Sequence, residues 1–254
     1  MTESQAMADE FDTMAKWTAD AVESLGPDHA VPAGCRGSGS PAALEWLAER
    51  LGLRSGLTLL DSGAGVGGPA ELAARQFGVA PVLAEPMVDA CRASARLFSR
   101  PVVIASGERL PFAAHSFDAA WSLGVLCTVE DQDGLLSELR RVVRPRGAIG
   151  LLVFLRAVPR LPTQPEGNHF PSSDELAALL DRAGLAVCEQ AALADFAAAP
   201  EEWQTAVNRV DTVIEQRHGH DPRWQTAQEQ QQLIGSLIKD ELVQGTLVSA
   251  VATS

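Results

Sequence analysis

Residues 57–68, Leu-Thr-Leu-Leu-Asp-Ser-Gly-Ala-Gly-Val-Gly-Gly, constrain the fold of this chain more than any other stretch. An apolar run with strand character stops at Asp61, and glycines follow at positions 63, 65 and 67. A helix-forming segment, Pro69 to Phe77, comes next and is closed by Gly78. Strand, glycine turn and helix N-terminus in that order build a place where a ligand meets bare backbone amides. From there strand-like and helix-like segments alternate, the pattern of a parallel sheet covered by helices.

Strands are predicted at 57–61, 80–85, 101–105, 117–122, 147–155 and 185–191, with helices near 68–77, 87–97, 133–143 and 173–183. Ser172 to Glu175 carries an N-cap pattern for the last of these helices, and Gly184 supplies its stop. A final strand is predicted at 245–252. Ahead of the alternation, residues 8–25 have helical spacing, with Phe11, Met14, Ala15, Thr18, Val22 and Leu25 on one side and Gly26-Pro27 as the end. A second helix spans Pro41 to Leu51, after a Gly/Ser-rich passage. The interval 197–242 is too long for an ordinary loop and reads as largely helical. The expected division is an N-terminal helical lid (1–40), a core (41–196), a helical cap insertion (197–242) and the last strand of the core sheet (243–254).

The second apolar run ends at Glu85, about 24 residues after Asp61. An acid at that strand tip can accept hydrogen bonds from both hydroxyls of a ribose. Leu110-Pro-Phe112, Ser116-Phe-Asp118 and the run from Glu138 to Gly147 (Glu-Leu-Arg-Arg-Val-Val-Arg-Pro-Arg-Gly) follow in order. With Leu60 to Gly67 and Glu85, these motifs cover roughly residues 42–190. On them the chain resembles the class I S-adenosylmethionine-dependent methyltransferases, especially the small-molecule enzymes of the ubiquinone-biosynthesis type.

The resemblance implies an α/β fold: a Rossmann-like, doubly wound, seven-stranded, mostly parallel sheet whose final strand inserts antiparallel, with helical N-terminal and C-terminal cap elements. It implies S-adenosyl-L-methionine as cofactor, S-adenosyl-L-homocysteine as second product, and a small-molecule methyl acceptor; the long cap and the missing strand-four histidine point to an enclosed acceptor, with secondary metabolism as the expected setting. Asp61, Gly63, Ala64, Gly65 and Gly67 would surround the methionine and ribose portions, and Glu85 would take the ribose diol. Pro86 and Met87 would border adenine, together with Ser106, Gly107 and Glu108. Ser106 stands where the family usually has an acid for the adenine amino group. Leu123 would line the methionine end, and Arg36 would meet the methionine carboxylate.

Relatives commonly place a histidine near the end of the fourth strand, whereas this chain has Cys127 and Thr128 there. Proton removal is therefore assigned to Glu130, Asp131, His169, His218 or His220, or to no residue, with His169 and Glu130 carried as the catalytic candidates. His169 sits in the loop after strand five, which usually borders the acceptor in this family. Trp17, Phe170, Trp203 and Trp224 flank the expected roof. Two alternatives stay open: an enzyme of the same fold catalysing a non-methylation reaction such as cyclisation, and a cofactor-binding partner protein without catalysis.

The charge balance, 20 basic against 33 acidic side chains for a net −13, repels phosphate backbones and argues against nucleic acid as substrate. Apolar runs fall far short of the ~20 residues that cross a bilayer, and the acidic N-terminus lacks a secretory pattern. A cytoplasmic protein, monomeric or homodimeric and without a membrane partner, is expected. The four cysteines have no metal-ligand spacing, and no metal site is expected. Cys91 and Cys188 are expected to pack as small apolar groups.

Overall fold

A computed structural model describes residues 3–253, with side-chain environments from Met7 to Thr253. The chain opens with α1 (Glu3–Leu25), α2 (Ala30–Gly34) and α3 (Pro41–Arg50). The alternating part then runs β1 (Thr58–Ser62), α4 (Gly68–Phe77), β2 (Ala80–Glu85), α5 (Val88–Phe98), β3 (Val102–Ile104), β4 (Phe117–Leu123), α6 (Gln132–Val142), β5 (Val143–Arg156), α7 (Ser173–Arg182) and β6 (Leu185–Ala192). Two long helices, α8 (Glu201–His218) and α9 (Pro222–Lys239), precede β7 (Val243–Ala252).

Among the described residues the strands form one seven-stranded sheet of order β3-β2-β1-β4-β5-β7-β6. All neighbours are parallel except β7, which runs antiparallel between β5 and β6. Side chains of adjacent residues leave a strand on opposite faces, and both faces are covered. Leu60, Ala120 and Leu151 join the apolar cluster beneath α6 and α7, while Leu59, Ala119 and Leu152 join the one beneath α3, α4 and the terminal helices. This double burial explains why the strands read as continuous apolar runs rather than alternating ones.

Sequence order reverses between β1 and β4: the chain builds outward from β1 through β2 and β3, then returns to the other side of β1. In open α/β sheets a crevice forms at the carboxyl ends of the strands at such a point. Both the glycine turn after β1 and the segment after β4 end there.

Several local expectations are corrected. Helix α1 is buried on two sides rather than one, and Phe11, expected inside, is 46% exposed. Ala15 and Ala19 pack on Ala90 and Ala93 of α5, whereas Met14, Trp17 and Ala21 face the cluster shared with α8 and α9. Strand β5 starts at Val143, directly after α6, and the Arg144–Gly147 passage is a bulge within it: pairing with β4 jumps from Val143 to Ala148, with Arg146 at φ 63°. Cys188 is exposed because β6 is an edge strand, while Cys91 is buried as expected. The N-cap reading at Ser172 holds as a full capping box with Glu175.

Candidate functional site

The turn after β1 is fastened to the end of β2. Gly63 N and Ala64 N both donate to Ala84 O (2.8 and 3.3 Å), and Gly67 N closes the turn onto Ala64 O at 2.8 Å. Gly67 caps α4 at φ 89°, and a Cβ there would press into Leu83 and Ser94. Gly68 answers a different constraint. A Cβ on it would collide with the Gly34 carbonyl and the Cys35 amide, so α2 sits backbone to backbone on the start of α4. The N-terminal segment is thus seated on the glycine turn through a contact that tolerates no side chain.

This fastening brings Glu85 to the turn. Its Oε2 accepts from Gly65 N at 2.8 Å and its Oε1 from Met87 N at 3.0 Å, in a site where Glu85 is 1% exposed. Burial raises its pKa; the two amide hydrogen bonds oppose the rise, and the charge of Asp12 on α1 adds to it. Asp61, in register with Trp121 of β4, is 2% exposed, and its Oδ2 has no hydrogen-bond partner among the described residues. Burial pushes its carboxyl up to about 7. The Trp121 indole N–H lowers it without reaching full hydrogen-bond geometry, and Glu85 raises it. Ser62 Oγ is likewise buried and without a partner.

Ser106 and Glu108 form a unit. Ser106 Oγ donates to Glu108 Oε2 at 2.9 Å, and Glu108 Oε1 accepts from Asp131 N at 3.2 Å. Glu108 thus folds back so that its carboxylate lies against the Ser106 hydroxyl. Gly107 lies close to Ser62 Oγ and Leu135, which sets this loop beside the end of β1. On the β4 side Leu123 is buried, and Val125 presses against Gly63. One crevice therefore gathers Asp61, Gly63, Ala64, Gly65, Gly67, Glu85, Ser106, Gly107, Glu108 and Leu123. Pro86 is exposed beside it, and Met87 packs with Val66 under Ala15 and Ala19 of α1.

Arg36 stands differently from expectation. Its guanidinium pairs with Asp211 of α8, so it ties the N-terminal loop to the C-terminal helices. A carboxylate ligand would have to displace Asp211. The same seam holds Trp17 stacked on His218, with ring centroids 4.2 Å apart, and Arg223 over Trp17 with a hydrogen bond to Thr13. His218 is occupied in this seam. Phe170, expected at the roof, packs instead with Leu176 and Leu179 in the cluster under α7.

Glu130 and His169 share a different place, a cleft of about 790 Å³ between the start of α6, the loop after β5 and α7. His169 N donates to Cys127 O at 2.7 Å, and Gln132 Nε2 bridges Leu126 O and His169 O. Both candidate side chains are exposed there. Cys127 is a wall: it is buried, its Sγ donates to Phe154 O at 3.2 Å, and burial pushes its thiol up to about 12, far from a nucleophilic thiolate. Asp131 caps α6 through Gly134 N.

Sequence reasoning missed the α1 carboxylates. Asp12 Oδ1 accepts from Ala90 N at 2.8 Å at the head of α5, and Glu10 is buried on the opposite side of the helix. The available signal was the second stripe of α1, Met7, Glu10, Met14, Trp17 and Ala21, in which one member is charged.

The amides of Gly63, Ala64, Gly65 and Gly67, expected to be bare, are instead bonded within the protein, and what the site offers is buried oxygens without partners, which suit a ligand rich in hydrogen-bond donors. Residues 60–151 match the family model described as a methyltransferase domain. A curated relative, methyltransferase GfsG of Streptomyces halstedii, is 29% identical over 162 residues, covering 57% of this chain and 58% of that protein's own length. The fold resembles the crystal structure of the [4+2]-cyclase SpnF, with a TM-score of 0.74 at 18% identity over 100% of this chain and 97% of that one. It also resembles geranyl diphosphate C-methyltransferase from Streptomyces coelicolor in complex with geranyl-S-thiolodiphosphate and S-adenosyl-L-homocysteine, with a TM-score of 0.62 at 16% identity over 84% and 76%. The chain thus matches the methyltransferase-domain model over about a third of its length and spans less than two thirds of the curated relatives it matches, while the solved structures show that the whole fold is shared.

Proposed function

We propose that the crevice between β1 and β4 holds S-adenosyl-L-methionine and that the protein methylates a small molecule. The observation that carries this reading is the convergence of Glu85 and Gly65 N, 2.8 Å apart, beside the orphaned carboxylate of Asp61. The residues fit such a group. Glu85 offers a carboxylate to a ribose diol, Asp61 and Ser62 have buried oxygens in need of donors, and nothing lies within 4 Å of the Cβ direction of Gly65. Ser106, Gly107 and Glu108 would border the adenine and Leu123 the methionine end. When bound, the sulfonium supplies an electrophilic methyl, so the protein's task is alignment and exclusion of water.

Residues 1–40 and 197–242 serve as lid and cap over the crevice in this reading, joined through the Trp17–His218 stack and the Arg36–Asp211 pair. His169 and Glu130 are the acceptor-side candidates for proton removal from the neighbouring cleft. No described helix is long and apolar enough to cross a membrane. The four free thiols suit the reducing cytoplasm in which we place the protein. A second reading, a non-methylating reaction such as cyclisation in the same pocket, is favoured by one observation, a fold likeness to a cyclase that spans the whole chain.

Calorimetry with S-adenosyl-L-homocysteine tests the cofactor. Binding is expected, and Glu85→Ala should weaken it by about 1–3 kcal/mol, the scale for losing hydrogen bonds to a charged group. Absence of binding at millimolar ligand would overturn the reading in both forms, and bound cofactor without methylated product on the true substrate would favour the second.

A further inference from the structure

Helix α1 crosses the crevice between two supports. At one, Asp12 holds Ala90 N of α5, and Ala15 packs with Met87 and Val66. At the other, Met7 lies against Gly167 and Asn168 in the loop after β5, with Asn168 Nδ2 approaching Met7 Sδ at 4.0 Å. Helix α5 follows β2, and the loop follows β5. In the sheet, β1 and β4 lie between those two strands. The turn of α1 between the supports therefore passes over the carboxyl ends of β1 and β4, and Glu10 is in that turn.

Glu10 belongs to the stripe that also carries Met14 and Trp17, both packed toward the cap cluster. It is 9% exposed, and no described residue gives it a hydrogen bond or an ion pair. Burial pushes its carboxyl up to about 7. An apolar side chain at this position would continue the stripe, whereas a largely buried acid with no donor or cation beside it opposes folding. Such a group fits a role completed by a ligand.

We propose that Glu10 is the acceptor-recognising residue of this site, its carboxylate receiving a hydrogen bond from an amino or hydroxyl group presented above the crevice. This rests on the reading that the crevice holds S-adenosyl-L-methionine. It narrows the acceptors to molecules bearing an N–H or O–H donor at the point of transfer, and it makes the N-terminal helix part of the specificity pocket.

The test compares two probes by calorimetry: S-adenosyl-L-homocysteine, and sinefungin, whose amine takes the place of the transferable methyl. The native protein should bind both and favour sinefungin. Glu10→Gln should weaken sinefungin by about tenfold to a hundredfold, the scale of one hydrogen bond to a charged group, and leave S-adenosyl-L-homocysteine unchanged. Glu10→Leu completes the apolar stripe, should fold at least as well, and should give the same pattern if the glutamine variant fails to fold. Equal effects on both probes, or no effect on either, would overturn the assignment of Glu10. A native protein that binds neither probe would instead overturn the cofactor reading beneath it.

Discussion

The carboxylates of the outer helices and those of the crevice are treated in opposite ways. On the outside, Glu71 of α4 is nearly buried, yet Arg75 and Arg100 reach it at 2.7 and 2.8 Å. Burial alone would raise its pKa, but the hydrogen bonds from Arg100 and Arg75 outweigh it and hold the group low. Glu138 of α6 is held low by Arg141 and by the Leu110 amide. Asp61 and Glu85 in the crevice, and Glu10 on α1, have no arginine or lysine partner among the described residues, and burial raises all three. Glu71 and Glu138 are thus given arginines, whereas these three buried acids are not. Raised acids of this kind are the pattern a binding site would show, and they make the ligand-free fold less stable than its packing would allow.

The largest expected effect is on the pH dependence of stability. The folded protein keeps Asp61 protonated up to about 7, while the unfolded chain ionises it near 3.8. The stability this gives is fully present below the unfolded value and is lost as pH rises through the folded one. At one pKa unit per 1.36 kcal/mol, that is a loss of up to about 4 kcal/mol between about pH 4 and about pH 7. Asp61→Asn should remove this share of the slope and stabilise the ligand-free protein on the alkaline side. Urea denaturation at about pH 4 and about pH 8 measures it; an unchanged slope in the variant would break the contrast between the two regions.

The paired side predicts the opposite sign. Arg100→Ala should destabilise the protein by about 1–3 kcal/mol at neutral pH, because it leaves a nearly buried carboxylate with only the more exposed Arg75. Adding Glu71→Gln to that variant should recover most of the loss. If Arg100→Ala proves neutral in denaturation, the arginines are ornaments of the surface and the distinction drawn from them weakens.

The paired and unpaired acids also differ in how far they could be read from the chain. The places of the glycine turn and of Glu85 were legible because they are local: strand tips and positive φ follow from a few neighbouring residues. The sheet was legible because its two-sided burial writes itself as apolar runs. Helix α1 was not, since a helix clamped between α5 and the α8–α9 pair carries two apolar stripes, and choosing the one through Phe11 concealed Glu10. Glu108 returns to Ser106 only through a hydroxyl and the Asp131 amide, contacts that residue spacing does not encode. Arg36 could not be placed because its partner, Asp211, lies 175 positions away.

The smallest effect is expected at His169, and it decides whether the cleft and the crevice are one site or two. The structural tie of this residue is its backbone, through His169 N on Cys127 O and Gln132 on His169 O. Its imidazole is exposed toward the cleft shared with Glu130. His169→Ala should therefore change stability by no more than about 0.5 kcal/mol, as for surface positions generally, and should leave S-adenosyl-L-homocysteine affinity unmoved. If the cleft admits the acceptor, turnover alone falls, and the sharp division holds: buried, cation-free acids for the cofactor and roof, and a solvent-facing base beyond the Leu126–Thr128 turn. Loss of cofactor affinity in this variant would instead join the two through that turn, because Val125 at its head already presses on Gly63.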